Sequence, residues 1–224
     1  MSNIYKPTKG PTDWKAFLAD PDKQWKTGFS AKSMAYAWEE SDGVPEEISR
    51  TIQDAFGESP EPLIIIPEFK VPLKGGNRDS QNDAFLLAKI GDKTASIMIE
   101  GKVRESFGPL IGEWFHNPSQ GKKDRLEYLC DTLGTPFPPP EHLRYQLFHR
   151  TASAILTANR FKTDMAIMLV QSFSQDHMWW EDFQNFATYM NAEVELGKLA
   201  KSPMKTSVPT FIGWVTGHQK YLSK

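Results

Sequence analysis

Residues 83–102 read DAFLLAKIGDKTASIMIEGK, and three side chains in that stretch are equipped to act together: Asp83, Glu100 and Lys102. Alternating apolar and polar residues flank Gly91-Asp92, the period of two strands joined by a two-residue turn. Counting outward from that turn sets Ile90 against Lys93, Phe85 against Met98 and Asp83 against Glu100. Directly opposed side chains lie roughly 4.5 to 5.5 Å apart at Cβ, so the two acids meet. Residues i and i+2 share a sheet face, which adds Lys102, Phe85 and Leu87 to the same side. The other face, Ala84, Leu86, Ala88, Ala95, Ile97 and Ile99, is apolar and must be covered. Two carboxylates on adjacent strands suit a hard cation, Mg²⁺ or Mn²⁺. A neighbouring lysine serves an attacking water or offsets charge on a phosphate. The chemistry expected of this constellation is phosphodiester hydrolysis.

The elements that must position these residues are readable in outline. A helix is expected from Ser30, as its cap, to Glu40, and a second from Pro45 to Phe56. The strand LIIIPEFKVPL follows, its prolines placing it at an edge or bend, and the Gly75-Gly76 loop leads into the hairpin. After Lys102 come helix-like residues, the Pro-rich break TPFPPP, a long helix from Glu141 to Asn159, and a buried strand, DMAIMLVQSFS. On the long helix His142, Gln146, His149, Arg150, Ser153 and Thr157 fall in one acid-free stripe on an otherwise apolar surface. A polar seam on a buried helix needs partners. Carboxylates and a phosphate supply them on one reading; structural acids do so on the other.

Asp83, the Glu100-Gly101-Lys102 triplet and the order helix, three strands, helix, strand resemble the PD-(D/E)XK nuclease superfamily, whose fold is restriction-endonuclease-like. Asn82 stands where the superfamily often has proline. The resemblance implies an α/β core with a helical insert at about 103–140 and helical C-terminal additions. It further implies Asp83 and Glu100 as metal ligands, with Lys102 beside the attacking water and Gln146 and Arg150 brought by the long helix. Glu39 on the first helix is an additional metal ligand on this reading. The implied activity is that of a Mg²⁺- or Mn²⁺-dependent nuclease acting on nucleic acid, DNA before RNA. The alternative is a catalytically silent relative that binds nucleic acid or protein. A second triplet, Glu68-Phe69-Lys70, competes for the motif, but no acid upstream of it is placed to pair with Glu68, so Glu100 is preferred.

The 224 residues, 39% hydrophobic and 24% charged, suffice for one large core. The expected organisation is an arm at 1–29 that docks through Trp14, Phe17 and Trp25, a domain at 30–196, and a basic extension at 197–224. A net charge of −2 gives no global pull on nucleic acid. Binding must rest on local clusters, first Lys122, Lys123 and Arg125, then the lysines of the extension. The stretch VPTFIGWV in that extension either docks as a strand or pairs with a second chain to form a homodimer. The longest apolar run, MAIMLV, is too short to span a bilayer and the N-terminus lacks a signal-peptide core, which predicts a cytoplasmic protein with no membrane partner. Cys130, the single cysteine, reads as a buried small hydrophobe. The aromatic residues of HMWWEDFQNFATYMN have the spacing of a packed helix.

Overall fold

A computed structural model describes residues 8–41 and 43–224. Among these residues six strands, β1 (Glu61–Val71), β2 (Ser80–Ile90), β3 (Lys93–Lys102), β4 (Met165–Ser172), β5 (Leu199–Ser202) and β6 (Thr210–Thr216), make one open sheet in the order β1-β2-β3-β4-β6-β5. The first three form an antiparallel meander; β4 runs parallel to β3 and β6 parallel to β4. The α-helices are α1 (Pro21–Gln24), α2 (Ser30–Glu39), α3 (Glu46–Phe56), α4 (Ile111–Trp114), α5 (Gln120–Leu133), α6 (Tyr145–Phe161) and α7 (Trp180–Tyr189). The protein is a mixed α/β structure, and no helix among the described residues is long and apolar enough to cross a membrane.

The hairpin has the counted register. Ile90 faces Lys93 and Phe85 faces Met98, with Gly91 at φ 57, the positive value that favours glycine in a two-residue turn. Ala84, Leu86, Ala88, Ala95, Ile97 and Ile99 are covered by Met34, Ala35 and Trp38 of α2 and by Ile48 and Ile52 of α3. Phe85 and Met98 pack on the opposite side with Leu147, Phe148 and Ile155 of α6. Two apolar layers thus sandwich β2 and β3, and their shared end carries the charged residues.

Several local features differ from expectation. Helix α2 is capped by Glu105, whose Oε1 accepts from both the Ser30 backbone N–H (2.7 Å) and hydroxyl (3.0 Å), and not by the Ser30 side chain. Helix α6 starts at Tyr145 because residues 141–144 are already bonded elsewhere: Ile111 N–H donates to Leu143 and Gly112 N–H to Glu141. His142 therefore leaves the stripe and is exposed. The basic extension at 197–224 is no appendage. It supplies β5 and β6, Trp214 is fully buried, and VPTFIGWV docks beside β4 of its own chain. Of the N-terminal arm, residues 8–29 fall within the described part, and Trp14 inserts into the α2 side of the core.

Candidate active site

The register that aligns Phe85 with Met98 runs on to the strand ends. The ladder's last pair is Ala84 with Ile99, and beyond it Asp83 Oδ2 accepts the Gly101 backbone N–H at 2.7 Å. Glu100 and Lys102, two residues apart on one face, form an ion pair at 2.6 Å. Helix α6 closes the group from above. Arg150 Nε donates to the other Glu100 oxygen, and Arg150 Nη1 donates to Ser80 Oγ at 3.2 Å. Glu100, Lys102 and Arg150 are 1%, 4% and 7% exposed. A charge so enclosed is tolerable only when paired, and each of these is.

A third carboxylate belongs to the group. β1 pairs Pro67 with Ala84 and Phe69 with Asn82, which sets Glu68 beside Asp83. Glu68 holds φ 53 and accepts from Gln81 Nε2 at 2.6 Å. The acid that meets Glu68 lies downstream of it in sequence, on β2, the strand that β1 shares with the hairpin.

The five charges do not balance evenly. Burial and the neighbouring Glu100 push Asp83 up to about 7, with Arg150 and Lys102 opposing. Burial, then the charge of Asp83, push Glu68 up to about 8. Glu100 is also desolvated, but Arg150 and Lys102 outweigh that and hold it below the usual carboxylate range. Asp83 keeps some surface open to solvent although protein surrounds it on most sides. The group thus has one acid ionised well below neutrality and two that titrate at or above it.

Beside Arg150, His149 Nδ1 lies 2.8 Å from Ser80 Oγ and 3.2 Å from Arg150 Nη1. Arginine can only donate, so Nδ1 is the acceptor and the ring proton sits on Nε2. Burial and the adjacent cations hold this imidazole well below its usual pKa, in the neutral form. Gln146, one turn before Arg150, has its Oε1 buried with no hydrogen-bond partner among the described residues.

Three expected residues are engaged elsewhere. Glu39 Oε1 accepts from the Trp14 indole at 2.7 Å and the Thr8 hydroxyl at 2.6 Å, so it anchors the N-terminal segment. Arg125 is not part of an exposed basic patch. It is 6% exposed and its guanidinium is turned onto the carbonyls of Leu73, Lys74 and Gly76. Lys122 donates to the Trp114 carbonyl at 2.6 Å and lies over the Trp114 ring.

Residues 7–219 match the family model described as "Domain of unknown function (DUF6946)", and the chain belongs to that family. No curated protein and no solved structure matches it.

Proposed function

We propose that the protein is a metal-dependent phosphodiesterase acting on nucleic acid in the cytoplasm, with a PD-(D/E)XK-like core. The observation that carries this reading is the convergence of Asp83, Glu100 and Lys102 from the β2–β3 hairpin with Arg150 from α6 at one end of the sheet. The element order α2, β1-β2-β3, α6, β4 supports it.

A divalent cation suits the donors. All three acids offer hard oxygen, and burial beside other acids raises Asp83 and Glu68 despite the nearby Arg150 and Lys102, a crowding that a cation would relieve. As they stand, no three His, Cys, Asp or Glu side chains among the described residues are arranged to hold a metal ion, and both Glu100 oxygens are taken by Lys102 and Arg150. Asp83 and Glu100 would hold the cation, with Glu68 beside them, and it would supply positive charge at the phosphate. Lys102 would orient the attacking water, and Arg150 would exchange its carboxylate for a phosphate oxygen, which its planar fork fits well. The water oxygen joins phosphorus as one ester P–O bond breaks. The water's proton ends on the departing oxygen, leaving a phosphomonoester and an alcohol.

The closed pairing of Glu100 favours one alternative, a silent binding module in which the ions only hold the sheet end together. Incubation of labelled single- and double-stranded DNA and RNA with the protein separates the two. Hydrolysis is expected with Mg²⁺ or Mn²⁺, none with EDTA, and none by Asp83→Ala, Glu100→Ala or Lys102→Ala. Binding that ignores both metal and these substitutions, without cleavage, would establish the module instead.

A further inference from the structure

Next to the carboxylate group lies a cleft of about 360 Å³, walled by the Gly75-Gly76 loop, the start of β2, α4, the first turns of α5, and α6. Its size is at the lower end of ligand pockets, roughly 300 to 1,000 Å³, enough for one small molecule and too small for a duplex. The loop packs closely on α5: Gly75 and Gly76 hold φ 77 and 82, and a Cβ at Gly75 would come within 2.5 Å of the Arg125 backbone nitrogen.

The lining has a definite chemical bias. Arg78, Lys122 and Arg125 face a single acid, Asp79. Arg125 is the telling member, since it is buried with its donors on backbone carbonyls and no carboxylate among its hydrogen-bond partners in the described residues. A buried cation without a counter-charge favours an anion in the adjoining space. Trp114 and Tyr145, stacked on each other with centroids 3.9 Å apart, add aromatic surface to the wall. His149 also lines the cleft, and since its Nδ1 is spent on Ser80 and Arg150, its Nε2–H is the donor left to offer.

We propose that this cleft binds one phosphorylated nucleoside, the phosphate drawn by Arg78, Lys122 and the charge of Arg125, and the base set against the Trp114–Tyr145 wall. Ser80 and His149 border the cleft and also touch Arg150, which joins it directly to Glu100. On the phosphodiesterase reading, on which this last consequence rests, the unit is an unpaired nucleotide next to the bond to be cut, and the substrate is single-stranded or frayed. A free nucleotide offers the same chemistry.

Binding is measured on the full chain in EDTA, by calorimetry, with adenosine 5′-monophosphate, adenosine, inorganic phosphate, a single-stranded oligonucleotide and a blunt duplex. The monophosphate should bind more tightly than adenosine and more tightly than phosphate. Arg78→Ala and Lys122→Ala should each weaken it roughly tenfold, the worth of one charge-assisted hydrogen bond. Arg78 is exposed, so its substitution tests the cleft without endangering the fold. Competition by the single strand and not by the duplex assigns an unpaired strand as the ligand; no competition by either assigns a free nucleotide. Monophosphate binding no tighter than phosphate, no saturable binding, or indifference to both substitutions overturns the proposal. With neither metal nor turnover in the assay, failure here leaves the phosphodiesterase reading untouched, and loss of cleavage leaves nucleotide binding untouched.

Discussion

Arg150 and Glu100, fifty positions apart, are joined by a hydrogen bond from Nε, and both are almost completely enclosed. The bond fastens α6 to the end of β3 at the point where an unpaired charge would cost most. Arg150→Ala should therefore destabilise the protein by about 3 to 5 kcal/mol, the range for breaking one side of a buried pair. Mn²⁺ should restore part of that, because a ligand that binds only the folded state stabilises it. Denaturant unfolding with and without Mn²⁺ measures both. A loss below about 1 kcal/mol, the size of a surface pair, with no effect of metal, would separate α6 from the site.

Stability should fall between pH 6.5 and 8 when metal is chelated. Asp83 and Glu68 have folded pKa values of about 7 and about 8, above their ordinary 3.8 and 4.5. A carboxyl raised on folding contributes stability that is complete below the unfolded value and lost as pH climbs through the folded one, since the folded chain then holds more protons. His149 acts in the opposite sense, but only below its ordinary 6.5, and Glu100 only in acid. Unfolding midpoints in urea at the two pH values should show the decline, and Asp83→Asn with Glu68→Gln should flatten it. A flat or rising profile in the parent protein would mean that these acids are not sharing buried space.

Glu68→Gln tests the carboxylate that the motif omits. It keeps the side chain's shape and removes its charge, so folding should be preserved and Mn²⁺ affinity lowered by about 10- to 100-fold, as for groups that support a metal from behind its ligands. Calorimetric titration with Mn²⁺ at pH 8 provides the comparison. Unchanged affinity would confine Glu68 to its hydrogen bond with Gln81.

The contrast between Glu100 and Glu68 shows what was legible beforehand. Gly91-Asp92 is a tight turn, so counting outward fixed which residues oppose one another as far as Ala84 and Ile99. Residues 72–79 are a longer connection between β1 and β2, and no count across it yields a register, so the approach of Glu68 to Asp83 was hidden. Arg150 was found through the 3.6-residue period of α6, whereas on α5 Lys123 and Arg125 flank the buried face about equally and the period alone does not tell which of them is enclosed. The N-terminal boundary of α6 was not readable, because residues 141–144 are drawn out of helical form by bonds to residues 109–112, remote in sequence. For the same reason β6 was only one of two options: its apolar pattern marks a strand but not the neighbour it joins.

Between Glu100 and Lys102 stands Gly101, and a Cβ placed there would lie 2.1 Å from the sulfur of Met34. The motif's middle position is thus where helix α2 rests its weight on the strand. On one side of β3 a methionine presses against bare backbone; on the other, one residue either way, sit the acid and the lysine. A side chain at 101 would displace the Met34 thioether, and the disturbance would fall between both charged neighbours. The spacing of the ions is in this sense gauged from the reverse side of the sheet, by a thioether that touches none of them.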